Sequence, residues 1–356
     1  MSTSAHLDGS KAMLAHCERV LRGDLGSLYQ YFDDSSVQEI MINGPENIWI
    51  ERAGQFERLE LSIPSSTLIS AITTVANINT KSSTKSPLLD ARLPGLRVAA
   101  TMPPVATSGA SMCIRRHSSQ VRKLDAYVEQ GAFNPVWRFD SAKTQKIVER
   151  PSDESIAQGG QAIADLFRWI VSTRQNLAVT GATSAGKTSL LNAIAQEIPA
   201  TDRVATIEDT AELQISVPNH IGFEANPTYG VDIRSLVKHT LRYRPHRIFV
   251  GEVRGGEAFD MLDAYNTGHP GSAVSFHSDS AESGLYRLEN MVRMAPEASG
   301  WPLADLRRQI ALTFPFVVHA GVLHGWRALN EVIEVIGATE DGYHTKSLFK
   351  RTVEYY

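Results

Sequence analysis

One eight-residue segment, Gly181–Thr188, constrains the fold of this chain more than any other. It reads Gly-Ala-Thr-Ser-Ala-Gly-Lys-Thr and matches the phosphate-loop pattern GxxxxGK followed by Ser or Thr at every fixed position. An apolar run, Leu177–Thr180, precedes it, and a helical stretch, Thr188–Glu197, follows it. Such a loop joins a strand to a helix N-terminus, so the segment predicts an α/β unit that binds a phosphorylated ligand.

Each residue type in the loop has a physical role. The glycines let the backbone curl so that its N–H groups point inward, and the helix N-terminus adds positive potential. Lys187 supplies a mobile cation for the β- and γ-phosphates of ATP, and the hydroxyl of Thr188 suits Mg²⁺. The residues expected to hold the nucleotide are Gly181, Ala182, Thr183, Ser184, Ala185, Gly186, Lys187, Thr188 and Ser189.

Two acidic residues follow predicted strands further along the chain. Glu252 comes after the apolar run Ile248–Gly251, and Glu208 ends the run Val204–Glu208. Ligands of a parallel sheet bind at the C-terminal ends of its strands, so both carboxylates are expected to face the loop. Glu252 is suited to Mg²⁺ and the attacking water, and Glu208 to general-base catalysis or a metal-bound water. Their positions do not divide these roles between them.

A histidine and an arginine extend the candidate site. His277 follows the predicted strand Ala273–Phe276, where its ring could sense the γ-phosphate, although a lone histidine is more often structural. With His269 it makes no zinc signature, because no third ligand has a suitable spacing. Arg254 follows Glu252 closely, and a guanidinium matches phosphate oxygens, although plain surface charge is the simpler reading.

The chain divides into three parts by its patterns. Residues 1–119 carry short strand-like runs between turns and predict a small α+β domain, whose first helix is marked by Leu14, Cys17, Leu21, Leu25 and Leu28. Residues 120–160, which proline and glycine interrupt, read as a linker. Residues 161–356 alternate helices with apolar strands, which predicts a mostly parallel sheet. Three β-rich runs within Phe316–Tyr356 are expected to extend that sheet in antiparallel fashion.

Composition argues against several classes of protein. The 356 residues carry a net charge of −4, so no global basic field attracts nucleic acid. The two cysteines, Cys17 and Cys113, lie outside any CxxC pair and are expected to be reduced thiols. Met1–Lys11 is polar, and no run approaches the ~18 apolar residues that a membrane span needs. We therefore expect a soluble, cytoplasmic protein.

The order of the motifs resembles one known family. It is similar to the VirB/TrbB-type secretion (traffic) ATPases of type IV secretion and conjugative transfer systems, within the GspE/PulE-like superfamily. The matching segments are the phosphate loop, Ile207–Leu213, Arg244–Glu257, Thr267–His277, and in the first domain Val37–Glu51 and Leu96–Pro104. His246 stands where an acid is common, and Phe276 and Ser278 where smaller residues are usual. No tetracysteine site is present, which favours the type IV branch.

This resemblance implies an α/β protein with a C-terminal RecA-like P-loop NTPase domain, preceded by a small α+β (PAS-like) domain. It implies an ATP hydrolase that uses ATP and Mg²⁺ and forms a homohexameric ring. The nucleotide would lie between the two domains, where Arg97 and Arg115 of the first domain would reach the phosphates. The ring would dock at the cytoplasmic face of the inner membrane with other secretion ATPases and inner-membrane components, and drive secretion, conjugative DNA transfer or pilus biogenesis.

Two other functions remain open. A nucleotide-gated scaffold would bind ATP and hydrolyse it negligibly, but the intact acidic residues argue against it. A nucleic-acid motor could share the same core. The net acidity and the lack of a basic, aromatic-rich stretch argue against that function, so strong direct binding of nucleic acid is not expected.

Overall fold

The computed structural model describes residues 21, 23–52, 54–78, 86–93, 95–116, 128–129, 132, 148–323 and 326–353. The chain forms two compact units, Met1–Lys146 and Ile147–Tyr356. Leu14 and Cys17 of the first predicted helix lie outside the described residues. So does most of the predicted linker, whose described end contains the helix Asp153–Gln158.

The first unit contains an antiparallel sheet. Six described strands pair in the order β3-β2-β1-β6-β5-β4. The strands are β1 (Val37–Ile42), β2 (Ile48–Arg52), β3 (Gln55–Leu59), β4 (Leu88–Leu93), β5 (Leu96–Thr101) and β6 (Ser111–Arg116). The helices are a 3₁₀ turn (Gly26–Tyr29), α1 (Gln30–Asp33) and α2 (Ser65–Ile78). The small α+β domain is confirmed; β4 was not among the predicted strands.

One apolar core holds this unit together. In α2, Leu68, Ile72 and Val75 recur at steps of three and four residues and so lie on one face of the helix. They belong to the same buried cluster as Ile40 and Ile42, which alternate along β1. Elsewhere on the sheet, Cys113 is a buried thiol whose Sγ lies 3.1 Å from Glu39 Oε1.

The second unit is built on a mostly parallel sheet. Its eight described strands have the order β14-β13-β12-β7-β11-β10-β8-β9. The strands are β7 (Leu177–Gly181), β8 (Arg203–Glu208), β9 (Asn219–Glu224), β10 (Arg247–Val250), β11 (Ala273–Phe276), β12 (Phe316–Leu323), β13 (Trp326–Thr339) and β14 (Gly342–Lys350). The helices are α3 (Asp153–Gln158), α4 (Gln161–Ser172), α5 (Lys187–Ala195), α6 (Ile233–Thr240), α7 (Glu257–Asn266), α8 (Ala281–Arg293) and α9 (Leu303–Thr313). Short 3₁₀ turns occupy Pro227–Tyr229, Leu241–Tyr243 and Pro296–Ala298.

The strands from β12 to β9 run parallel, and the end of the sheet reverses direction. Every residue of β7, β8, β10 and β11 is buried, which is typical of central parallel strands. β13 pairs antiparallel with both β12 and β14, so the predicted antiparallel extension is confirmed. β12 itself pairs parallel with β7 and places the hairpin beside the phosphate loop. Within the described part of the chain, no helix is long and apolar enough to cross a bilayer.

Candidate nucleotide site

The phosphate loop links β7 to α5, as its sequence predicts. Gly181 ends β7 with φ +149°, and a Cβ there would stand 2.2 Å from the carbonyl oxygen of Ala320 on β12. A side chain therefore has no room at this position. Ser184 and Gly186 have φ values of +61° and +91° and give the loop its curl.

Lys187 lies across the loop and reaches the neighbouring strand end. Its Nζ donates to the carbonyl oxygens of Gly181 and Ala182, each at 3.0 Å. The same atom lies 3.4 Å from Nδ1 of His277, which follows β11. Burial lowers the pKa of Lys187, and the charge of Glu252 partly offsets that effect.

His277 connects the loop lysine to the acid at the end of β10. Its Nε2 lies 3.1 Å from Oε1 of Glu252. An ammonium group only donates hydrogen bonds, so Nδ1 accepts from Lys187, and Nε2 donates to the carboxylate. The geometry thus fits an imidazole protonated at Nε2. The chain Lys187–His277–Glu252 spans two adjacent parallel strands, β11 and β10.

Both carboxylate oxygens of Glu252 also accept hydrogen bonds from Arg254. Nε lies 2.9 Å from Oε1, and Nη2 lies 3.2 Å from Oε2, while Nη1 lies 3.1 Å from Asp209. Burial acts to raise the pKa of Glu252, but Arg254, His277 and Lys187 outweigh it and hold that pKa below its usual range. The carboxylate is therefore ionised and well paired.

Glu208 differs from Glu252 in its surroundings. It is 5% exposed, and its Oε1 accepts hydrogen bonds from the backbone N–H groups of Glu212 and Leu213, both at 2.9 Å. Burial raises its pKa, although these two N–H groups act in the opposite direction. A Cβ at Gly251 would stand 2.8 Å from Glu208 Cγ, so glycine at that position makes room for the carboxylate.

These groups line one cleft with a volume of about 490 Å³. Its lining comprises Thr183, Ser184, Ala185, Gly186, Lys187, Thr188, Ser189, Glu208, Asp209, Thr210, Glu212, Gly251, Glu252, Arg254, Ser275, His277 and Arg327. Gly181 and Ala182 contribute the carbonyls that hold Lys187. His269, from the same motif as His277, instead contacts the carbonyl oxygen of Ala264 through Nδ1 at 2.9 Å, which fits the structural reading.

Arg97 and Arg115 lie in the first unit. They face each other across β5 and β6, and Arg97 pairs with Asp90 at 3.0 Å. Their contact with the phosphates stays a prediction. Arg327 is a cleft residue that the sequence motifs did not indicate, because it comes from β13, some 140 residues beyond the loop.

Two residues of the cleft lining carry side-chain oxygens of the kind that Mg²⁺ binds. Among the described residues, no group of three or more His, Cys, Asp or Glu side chains could hold a metal ion alone. Mg²⁺ beside a nucleotide needs only one or two protein oxygens, because phosphates and water fill the other positions. Thr188 and Glu252 both line the cleft and fit that requirement.

Comparisons with known proteins show the family to which this fold belongs. The family described as "Type II/IV secretion system protein" matches residues 144–313. The probable conjugal transfer protein TrbB of Sinorhizobium fredii is 35% identical over 280 residues, which cover 77% of this chain and 76% of the relative. The type IV secretion system protein VirB11 of Brucella suis biovar 1 is 32% identical over 309 residues, covering 83% and 84%.

A solved structure extends the likeness to three dimensions. The crystal structure of the VirB11 ATPase from the Brucella suis type IV secretion system, in complex with sulphate, aligns with a TM-score of 0.79 at 30% identity. The alignment covers 92% of this chain and 96% of that one. The match confirms the expected fold, a RecA-like ATPase domain preceded by a small N-terminal domain. The chain belongs to the VirB11/TrbB family of type II/IV secretion system proteins.

Proposed function

We propose that this protein binds Mg-ATP at the phosphate loop and hydrolyses it as the motor subunit of a type IV secretion or conjugative transfer machine. One observation carries the proposal: Lys187, His277 and Glu252 form a continuous chain of contacts across a cleft that Glu208 also lines. One cavity therefore contains a cation for the phosphates, Lys187, together with the imidazole of His277 and two carboxylates. Phosphoryl transfer depends mostly on such positioning and charge neutralisation.

Lys187 and the loop amides hold the phosphates. The ammonium group of Lys187, already aimed across the loop by two carbonyl oxygens, neutralises the β- and γ-phosphates. Thr188 and Glu252 hold Mg²⁺, which supplies further positive charge to the phosphate oxygens when it is bound. Arg254 donates to both oxygens of Glu252, and if it turns to the phosphates instead, it leaves these oxygens open to a metal ion.

Glu208 and His277 act on the terminal phosphate and its attacking water. Glu208 is fixed at Oε1 by two backbone N–H groups, and burial makes it a stronger base than a solvated glutamate. It therefore suits the role of polarising the water. His277 contacts both Lys187 and Glu252, so a γ-phosphate that enters between them competes for its hydrogen bonds. The hydrogen bonds of the His277 imidazole would therefore differ between the states with and without the terminal phosphate.

The names of the relatives support a proposal for the assembly around the chain. They are named conjugal transfer and type IV secretion system proteins, which supports a role in those machines. We propose a homohexameric ring in the cytoplasm, bound peripherally at the inner membrane to other secretion ATPases and membrane components. The net charge of −4 supports partners other than nucleic acid for its direct contacts.

Turnover and binding of Mg-ATP, measured on matched variants, test the proposal. Lys187→Ala is expected to reduce turnover at least ~100-fold, because a phosphate-directed charge is lost. Glu252→Gln is expected to reduce turnover by a similar factor while retaining most of the affinity for nucleotide. Lys238→Ala on α6, which removes a lysine that is 57% exposed, serves as the control and is expected to behave like wild type.

Two outcomes would contradict the motor function. If Glu252→Gln and wild type show the same low turnover, the protein is a nucleotide-gated scaffold. Stimulation of turnover by single-stranded DNA would instead favour a nucleic-acid motor.

A further inference from the structure

Arg327 lies against the phosphate loop. It is the second residue of β13 and stands directly opposite Val322 of β12. Its Nε donates to the carbonyl oxygen of Ser184 at 3.1 Å. Its aliphatic part borders Gly186, where a Cβ would stand 3.3 Å from Arg327 Cδ. The side chain also lines the nucleotide cleft and is exposed there.

Arg327 and the catalytic acids approach the loop from opposite sides of β7. β12 pairs with one edge of β7, and β11 pairs with the other. Glu252 and His277 follow β10 and β11, so the groups suited to the terminal phosphate lie on the β11 side. A nucleotide whose terminal phosphate faces them extends its nucleoside end away from them. That direction leads toward the β12 side and Arg327.

Arg327 and the neighbouring Val322 offer a base a planar cation and an apolar surface. A guanidinium group is planar and stacks on aromatic faces, and its hydrogen bond to Ser184 holds the plane in place. Val322, opposite in the register and 48% exposed, adds apolar surface beside it. Stacking needs no hydrogen-bond readout, so contacts of this kind hold a base without strong preference among bases.

We propose that Arg327 binds the nucleoside end of the nucleotide by stacking its guanidinium group on the base. The inference rests on the proposed function, because it requires a nucleotide in the phosphate loop. It gives the β12–β13 hairpin a part in ligand binding that is separate from the loop and the acids. The same side chain then contacts both the loop, through its hydrogen bond to Ser184, and the base.

Two ligands that share a phosphate chain but differ in the nucleoside test this role. Calorimetry on the full-length protein would compare Mg²⁺ complexes of a nonhydrolysable ATP analogue and of inorganic tripolyphosphate. In Arg327→Ala, we expect affinity for the analogue to fall roughly tenfold, while affinity for tripolyphosphate changes less than about twofold. Arg327→Lys keeps the charge but loses the planar group, so its affinities are expected to resemble those of Arg327→Ala.

The control is Arg351→Ala. Arg351 is also exposed and also donates from Nε to a backbone carbonyl, that of Leu329 at 3.0 Å, but it lies outside the cleft lining. Its loss should leave both affinities at the wild-type level. Equal losses of both ligands in Arg327→Ala, or none, would overturn the stacking contact. Wild-type protein that binds neither ligand would instead refute the proposed function itself.

Discussion

The two ends of the parallel sheet carry the same kinds of charged side chain but bury them differently. Where β8 and β10 begin, Asp202 and Arg247 pair at 2.7 Å, and their side chains are 3% and 1% exposed. Where β10 and β11 end, Arg254 is 65% exposed and His277 is 41% exposed. We call the first the closed end of the sheet, because its ion pair is buried. The second is the open end, because it borders the nucleotide cleft.

The partners of these charges differ as well. Arg247 donates from Nε to Asp202, from Nη1 to the carbonyl oxygen of Gly271 at 3.3 Å and from Nη2 to that of Val171 at 3.1 Å. Backbone carbonyls do not rotate as side chains do, and Arg247 is only 1% exposed, so this arginine is held in place. Glu252 is instead paired with side chains, Arg254 and His277, which can rotate toward a ligand. Arg247 is therefore held mainly by the backbone around it, whereas the contacts of Glu252 can be rearranged when a ligand binds.

Removing Arg247 tests the closed end and has the largest expected effect on stability. Arg247→Met leaves the carboxylate of Asp202 buried with less compensation, so we expect the free energy of unfolding to fall by about 3–5 kcal/mol in urea denaturation. The control is Arg168→Met. Arg168 also pairs with two acids, Asp165 and Glu197, but it is 39% exposed, so its loss should cost less than about 1 kcal/mol. Equal losses in the two variants would remove the distinction between the ends.

The pH dependence of unfolding tests the closed end through Asp202, with a smaller expected change in stability. The pKa of Asp202 is lowered from 3.8 to about 2: burial acts to raise it, and His246, Arg247 and Arg174 more than offset that. Because the folded-state pKa is depressed, the carboxylate stabilises the fold above about pH 4, and this contribution of about 2 kcal/mol is lost as the pH falls through 2. Asp202→Asn should lack this part of the acid dependence, as unfolding measured from pH 5 to pH 2 would show. If the free energy of unfolding falls with pH in the same way in wild type and variant, Asp202 does not make this contribution.

The sequence predicted the open end of the sheet better than the closed end. The phosphate loop, Glu208, Glu252 and His277 could be placed because parallel strands bring their C-terminal ends together, whatever the details of packing. The segment Arg244–Glu257 matches the family as one motif. In the structure it spans both ends of β10: Arg247 begins the strand, and Glu252 follows its end. A linear pattern does not tell which of its residues reach the site.

The features that the sequence missed depend on tertiary pairing. β4 and β9 escaped prediction because polar residues such as Asp90 and His220 lie within them and break up their apolar pattern. The anchoring of Glu208 by the backbone of residues 212 and 213 depends on how the following loop folds back. Arg327 reaches the loop only because β12 pairs with β7 and brings β13 beside it. No local spacing in the sequence carries that information.

Removing Arg254 tests the open end and has the smallest expected effect on stability. The pair with Glu252 is exposed on the arginine side, so Arg254→Ala should lower the free energy of unfolding by less than about 1 kcal/mol. The informative measurement is the pH dependence of ATP turnover. Burial acts to raise the pKa of Glu252 and Arg254 acts to lower it, so removing Arg254 lets that pKa rise. A metal-binding Glu252 must be ionised, so the acid limb of the turnover profile should move to higher pH.

The matched control for Arg254→Ala is Arg234→Ala. Arg234 also bridges acidic side chains, Asp260 and Glu297, but these lie outside the lining of the nucleotide cleft. Arg234→Ala should leave the acid limb of the turnover profile at the wild-type pH, and its loss of stability should be comparable to that of Arg254→Ala. If the limb stays in place in Arg254→Ala as well, the contacts of Glu252 with Arg254 do not govern its ionisation during turnover. The open end would then resemble the closed one, with charges fixed by the fold rather than exchanged with a ligand.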